Sequence, residues 1–193
     1  MKASIYEAVK FNSMKIRAIP TLILSLLLLL ILFYSCRKYD QYPVVPHINL
    51  ISFTKLEDST GVDQRGVIGL SFTDGDGDLG LTADQNTGNY QFNIFIKYFE
   101  KIKGTFKEII ITTPNPQTGT PDTLWFNGRI PYLTPTGKSK AISGEIRDTI
   151  FINNYTSPYD TIKYQVYIQD RALNKSNIIE TPEIVVNKVP KKP

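Results

Sequence analysis

Residues 162–170 alternate strictly. Tyr164, Val166 and Ile168 are bulky and apolar, and Lys163, Gln165 and Gln169 stand on the other face. A period of two belongs to a half-buried strand, since successive side chains of a strand leave on opposite faces. The pattern recurs in residues 66–73, where Ile68, Leu70 and Phe72 oppose Val67, Gly69 and Ser71. It recurs again in residues 90–100, where Phe92, Ile94, Ile96 and Tyr98 oppose Asn93, Phe95, Lys97 and Phe99. Further β-rich runs cover residues 47–54, 106–113, 123–130 (with the single Trp, Trp125), 141–153 and 178–186, the 141–153 run bent near Gly144. Turn chemistry separates them: Lys103-Gly104, a proline-rich stretch over 114–122, and a loop over 131–140. No segment after residue 36 keeps a helical stripe for three turns. About seven or eight strands at this spacing predict an all-β domain, an immunoglobulin-like Greek-key sandwich, with a closed barrel as the alternative.

The first 35 residues obey a different logic. Lys15 and Arg17 precede an apolar run over 22–33, broken only by Ser25, and Tyr34-Ser35-Cys36 follows. A basic stretch, about a dozen apolar residues and a small residue before a cut describe a secretory signal, too short for a spanning helix. Met14 offers a second start for the leader. Cys36 is the only cysteine. Its place at the end of the apolar run resembles the lipobox of bacterial lipoproteins, in the loosened Ser-Cys form of Bacteroidota. Phe33 and Tyr34 depart from the usual pattern. The resemblance implies cleavage before Cys36, a diacylglyceryl group on its sulfur, and anchorage to the membrane by lipid. Arg37 stands where an Asp would resemble an inner-membrane retention signal, so the resemblance implies an outer-membrane lipoprotein on the periplasmic or cell-surface face. An uncleaved anchor with an incidental Cys is the alternative, and it keeps the same topology. The chain thus divides into a signal peptide (1–35), a lipidated Cys and proline-containing linker (36–46), a β-domain (47–187) and a basic, frayed tail (188–193) containing Lys188, Lys191 and Lys192.

The net charge of +4 belongs mainly to the leader, where Lys2, Lys10, Lys15 and Arg17 outweigh Glu7. The near-neutral remainder gives no electrostatic case for nucleic acid.

A second resemblance lies at Tyr164-Gln165-Val166-Tyr167-Ile168-Gln169-Asp170-Arg171-Ala172-Leu173-Asn174. This is similar to the penultimate strand of bacterial Ig-like and cadherin-like domains, which often ends Tyr-x-Val-x-(apolar)-x-Asp-x-Ala-(Gly)-Asn. It implies a tyrosine corner at Tyr164. Leu173 departs from the usual Gly, and no Cys pair is present.

The densest chemical signal is Asp74-Gly75-Asp76-Gly77-Asp78-Leu79-Gly80, followed by Asp84 and Asn86. Three carboxylates at alternate positions repel one another unless a cation joins them. The glycines let the backbone curl so that the side chains converge. Hard oxygen donors in a flexible loop suit Ca²⁺. The loop is not an EF-hand, because Leu79 takes the sixth position and Gln85 the twelfth. In an Ig-like sandwich the B–C and F–G loops share one end. That would add Asp170, Asn174 and Asn177 to the acidic loop at the tip where the first strand begins. The expected ligand set is Asp74, Asp76, Asp78, Asp84, Asp170 and Asn174. A solvated Asp-Gly turn without an ion is the plain alternative.

The single histidine, His47, has no nucleophile-elbow serine to serve and is too few for zinc. The chain is therefore read as a non-enzyme: a calcium-stabilised, lipid-anchored module of the cell envelope that meets an envelope protein or a glycan. One rival reading is a carbohydrate-binding lipoprotein using Trp125, Phe126, Tyr132, Tyr155 and Tyr159. Another is a metal-dependent enzyme using a carboxylate pair such as Asp76 and Glu145.

Overall fold

The computed structural model describes residues 41–133, 135, 140–190 and Ile23. Gln41–Pro193 forms one compact unit. Apart from Ile23, the residues read as a signal peptide lie outside the described residues, as do Cys36 and the last three residues. No helix among the described residues is long and apolar enough to cross a membrane.

Ten strands follow in order: β1 (His47–Glu57), β2 (Asp63–Asp74), β3 (Ile94–Ile102), β4 (Thr105–Glu108), β5 (Thr112–Thr113), β6 (Asp122–Thr123), β7 (Ile142–Phe151), β8 (Thr161–Ile168), β9 (Ile179–Glu180) and β10 (Ile184–Val185). One sheet has the order β1-β2-β7 and the other β10-β8-β3-β4, with β9 also on β8, and every pairing is antiparallel. This is the A-B-E and G-F-C-C′ order of an immunoglobulin-like sandwich. β5 and β6 pair as a separate ribbon.

The alternation read from the sequence sets the two inner faces. Ile68, Leu70 and Phe72 of β2 are buried against Ile94, Ile96 and Tyr98 of β3 and Ile162, Tyr164, Val166 and Ile168 of β8 in one core. Phe126 stacks on Tyr98 with centroids 5.5 Å apart and meets Tyr164 edge-on at 5.8 Å. The Tyr164 hydroxyl donates to the carbonyl of Phe151 at the end of β7, 2.7 Å away. This is the tyrosine corner, which ties the crossing from β7 to β8.

Turn chemistry is visible at Lys103 and Gly104. Both have positive φ (51° and 83°) and join Ile102 to its partner Thr105. Positive φ at both central residues is the twist of a type I′ hairpin.

Several boundaries differ from the sequence reading. Of the 123–130 run only Thr123 lies in a strand, at the end of β6. The remainder of the run is held from outside: Asn93 accepts from the Ile130 N–H at 2.6 Å and donates to its carbonyl at 3.2 Å. The 90–100 run starts as strand only at Ile94, because residues 88–90 form a 3₁₀ turn. β7 pairs with β2 without a break from Ile142 to Phe151, so there is no bend at Gly144. That glycine instead leaves room for Phe72, whose ring would stand 3.0 Å from an added Cβ. The run 178–186 splits into β9 and β10. The tail read as frayed begins docked: Lys188 Nζ donates to the carbonyls of Asn154 and Ser157, each at 2.9 Å.

Candidate metal centre

Strand periodicity delivers the first carboxylate. The inward positions of β2 run Ile68, Leu70, Phe72, and the next step of two is Asp74, which is fully buried. The chain then curls tightly against three other segments. The Gly75 N–H donates to the carbonyl of Pro43 at 2.8 Å. A Cβ there would stand 2.2 Å from the Tyr42 carbonyl oxygen, and one at Gly77 (φ +69°) would stand 2.1 Å from that of Lys140. Neither position admits a side chain without moving backbone, so packing as well as curl demands glycine. Tyr42 and Pro43, read from sequence as linker, thus lie against the acidic loop.

The result is convergence. One carboxylate oxygen from each of Asp74, Asp76 and Asp78 lies within 4.8 Å of the other two. The Leu79 N–H donates to Asp74 Oδ2 and the Ala172 N–H to Asp78 Oδ2, both at 3.0 Å. The Oδ1 atoms of all three aspartates are buried and have no hydrogen-bond partner among the described residues. Buried carboxylate oxygens without partners are costly and rare. Burial, with the charge of Asp76 next in size, pushes the Asp74 carboxyl up to about 6. Burial and the charges of Asp170 and Asp76 push Asp78 up as well.

The β8–β9 loop comes to the same place, as the sandwich topology predicts. Asp170 is buried and its charge bears on both Asp74 and Asp78. Its own oxygens, however, accept from the Asn174 N–H (2.7 Å) and from Asn174 Nδ2 (2.9 Å). Asp170 and Asn174 are thus bonded to each other, and Asp170 is not among the three carboxylates that converge. Leu173 beside them has φ 68°. It holds the left-handed conformation for which the Ig-like motif supplies glycine, at the cost a side chain carries there.

Of the expected ligands, Asp84 is placed elsewhere, as are the nearby oxygen donors Asn86 and Asn177. Asp84 is exposed in a turn with Thr82, whose hydroxyl holds its carboxyl below the usual range. It lies outside the cluster. Asn86 turns its amide to the Ala83 carbonyl. Asn177 clamps β1, accepting from the Ile48 N–H and donating to the Ile48 carbonyl, each at 2.9 Å. Nor do the loop aromatics make a row. Phe126 is in the core packing, Tyr132 lies under Arg171 (4.6 Å), and Tyr155 packs on Phe151 (6.2 Å). Glu145 is exposed on β7 and pairs with Arg147 at 3.5 Å.

One residue escaped the sequence reading. Arg171 donates from its guanidinium to the carbonyls of Leu79 and Gly80 (3.3 and 2.9 Å) and from its backbone N–H to Asp78 O (3.3 Å). It fixes the second half of the acidic loop. The only signal for it was its place directly after Asp170.

Chemically the arrangement suits a hard cation. Two oxygens on one Ca²⁺ at 2.3–2.6 Å are at most about 5 Å apart, and the three aspartates already meet that limit. Compared with known proteins, the chain matches no family model, no curated protein and no solved structure.

Proposed function

We propose that this protein is a lipid-anchored module of the bacterial cell envelope whose sandwich is stabilised by one calcium ion held by Asp74, Asp76 and Asp78. The observation that carries the metal reading is the set of three buried Oδ1 atoms, one from each aspartate, without a partner among the described residues. A cation supplies what each of them lacks. When bound, it neutralises the mutual repulsion of the cluster and ties the β2–β3 loop to the segments packed on it, including Tyr42-Pro43, which follow Cys36 in the sequence by only a few residues. The role is structural or adhesive, with an outer-membrane location implied by Arg37 after the cysteine.

Calorimetric titration of the full-length chain, freed of metal by chelator, tests the site. One calcium per chain is expected, with no binding heat in an Asp74→Asn/Asp76→Asn/Asp78→Asn variant. A wild type that takes up no calcium removes the reading. The anchor is tested separately. In a bacterial host with lipoprotein processing, labelled palmitate is expected in the wild type and absent from Cys36→Ser, and equal labelling of the two defeats lipidation at Cys36.

A further inference from the structure

A second site lies on the outer face of the other sheet. Phe95 and Tyr167 are directly paired across β3 and β8. Their neighbours Ile94, Ile96, Val166 and Ile168 take the core, so these two rings face outward. They are stacked nearly parallel, with centroids 4.7 Å apart and an interplanar angle of 9°. Trp125 stands beside them and is 65% exposed. Together they line a groove of about 410 Å³ whose remaining wall includes Asn127, Gln169 and Lys175. It continues into a smaller hollow of about 160 Å³ that shares Phe95, Trp125, Asn127 and Tyr167.

The polar groups here are suggestive in kind. Gln169 is 8% exposed and lines the groove. Its carboxamide carries both donors and an acceptor. Asn127, which also lines the groove, accepts from the Ile96 N–H at 3.0 Å through its amide oxygen. Lys175 sits over the Tyr167 ring at 5.5 Å. No carboxylate lines the groove.

We propose that this groove binds a saccharide. A pyranose presents one apolar C–H face, which packs on the electron-rich faces of aromatic rings, and a rim of hydroxyls. Carboxamides offer a donor and an acceptor side by side, the match for neighbouring hydroxyls. Nucleic acid would need several cations along its path, and the groove has one. A hollow of this size accommodates a small ligand, and its continuation extends the path for a chain of sugars. The site is separate from the acidic cluster, although Gln169 and Asp170 are adjacent, and it stands whether or not the calcium reading does. A larger hollow of about 580 Å³ beside β7 is mostly apolar and holds charged pairs on its rim. It lacks the stacked rings.

Trp125 is the only tryptophan, so its emission reports on the groove it lines. The full-length protein is titrated with hexaoses of β-1,4-glucan, β-1,4-xylan, α-1,4-glucan and α-1,6-mannan, followed by tryptophan fluorescence and by calorimetry. A saturable change with at least one hexaose is expected. Trp125→Ala should weaken calorimetric affinity at least tenfold with an unchanged melting temperature, since the ring is exposed. Gln169→Ala should weaken it severalfold at an unchanged calcium stoichiometry. No saturable response to any hexaose overturns the proposal, as does equal affinity of Trp125→Ala. A saturable response to a proline-rich peptide in the absence of any saccharide response assigns the groove to proteins instead and also overturns it.

Discussion

Adding calcium to the metal-free protein should raise its melting temperature by about 5–10 °C. An ion that binds only the folded chain stabilises it by about 2.7 kcal/mol at a hundredfold excess over its Kd, and each kcal/mol moves the midpoint of a domain this size by about 3 °C. The Asp74→Asn/Asp76→Asn/Asp78→Asn variant should show no shift. It should also be more stable than the metal-free wild type at pH 7, because three neutral amides replace three repelling carboxylates. The sign follows from Asp74, whose carboxyl is raised from 3.8 to about 6. The folded chain holds this proton more tightly than the unfolded chain. Metal-free stability is therefore highest, for this group, below 3.8 and is lost as the pH rises from there through about 6. The loss is about 3 kcal/mol at 1.36 kcal/mol per pKa unit. The gap between variant and wild type should accordingly close on going from pH 7 to pH 4. Calcium reverses the dependence, because protons compete for the same oxygens and the ion's stabilisation fades below about pH 6. Melts in chelator and in calcium at pH 4, 5, 6 and 7 measure all of this. A variant no more stable than metal-free wild type at pH 7 would show that the carboxylates do not repel as described.

Tyr164→Ala should cost about 3–5 kcal/mol, enough to unfold a domain of ordinary stability near physiological temperature. Tyr164 is fully buried and is the largest such side chain. It packs against Phe53, Tyr98 and Phe126, with centroids 6.1, 5.6 and 5.8 Å away. Removing it opens a cavity bounded by three rings that cannot all close on one another. Tyr164→Phe isolates the hydroxyl. Its bond to the Phe151 carbonyl spans the β7–β8 crossing, and leaving that carbonyl unpaired costs about 1–3 kcal/mol. Urea unfolding followed by circular dichroism separates the two variants. A Tyr164→Phe variant as stable as wild type would mean that the corner bond contributes nothing net and that the ring alone holds the crossing.

Where the alternation was strong, strand and facing were both legible. β8, the middle of β3 and the middle of β2 are where residues 162–170, 90–100 and 66–73 placed them, because burial of one face imposes a period of two on any sequence that forms a half-buried strand. The 123–130 run failed for the same reason in reverse. Leu124, Trp125 and Phe126 satisfy strand propensity, but strand propensity needs a neighbour to pair with, and Asn93 claims the backbone of Ile130 first. The aromatic reading named residues in or beside loops, Trp125 among them. The half-buried pair Phe95–Tyr167 lies on strands, and cross-strand pairing is not visible until the register is known.

The sequence by itself determined the all-β class, the two-faced strands, the hairpin at Lys103-Gly104, and the convergence of Asp74, Asp76 and Asp78. All of these depend on interactions within a few residues along the chain: alternation, turn conformation, and carboxylates two positions apart. Only the tertiary structure decided which of the distant groups expected at the acidic loop come beside it, and it added Arg171. Asp170 and Arg171 arrive because β8 ends beside β2's end, whereas Asp84 and Asn177, equally plausible as oxygen donors in sequence, are held away by Thr82 and Ile48. A carboxylate's residue type fixes its affinity for a cation, but packing across tens of residues fixes where its oxygens point, and the buried, partnerless Oδ1 atoms exist only once that packing is in place.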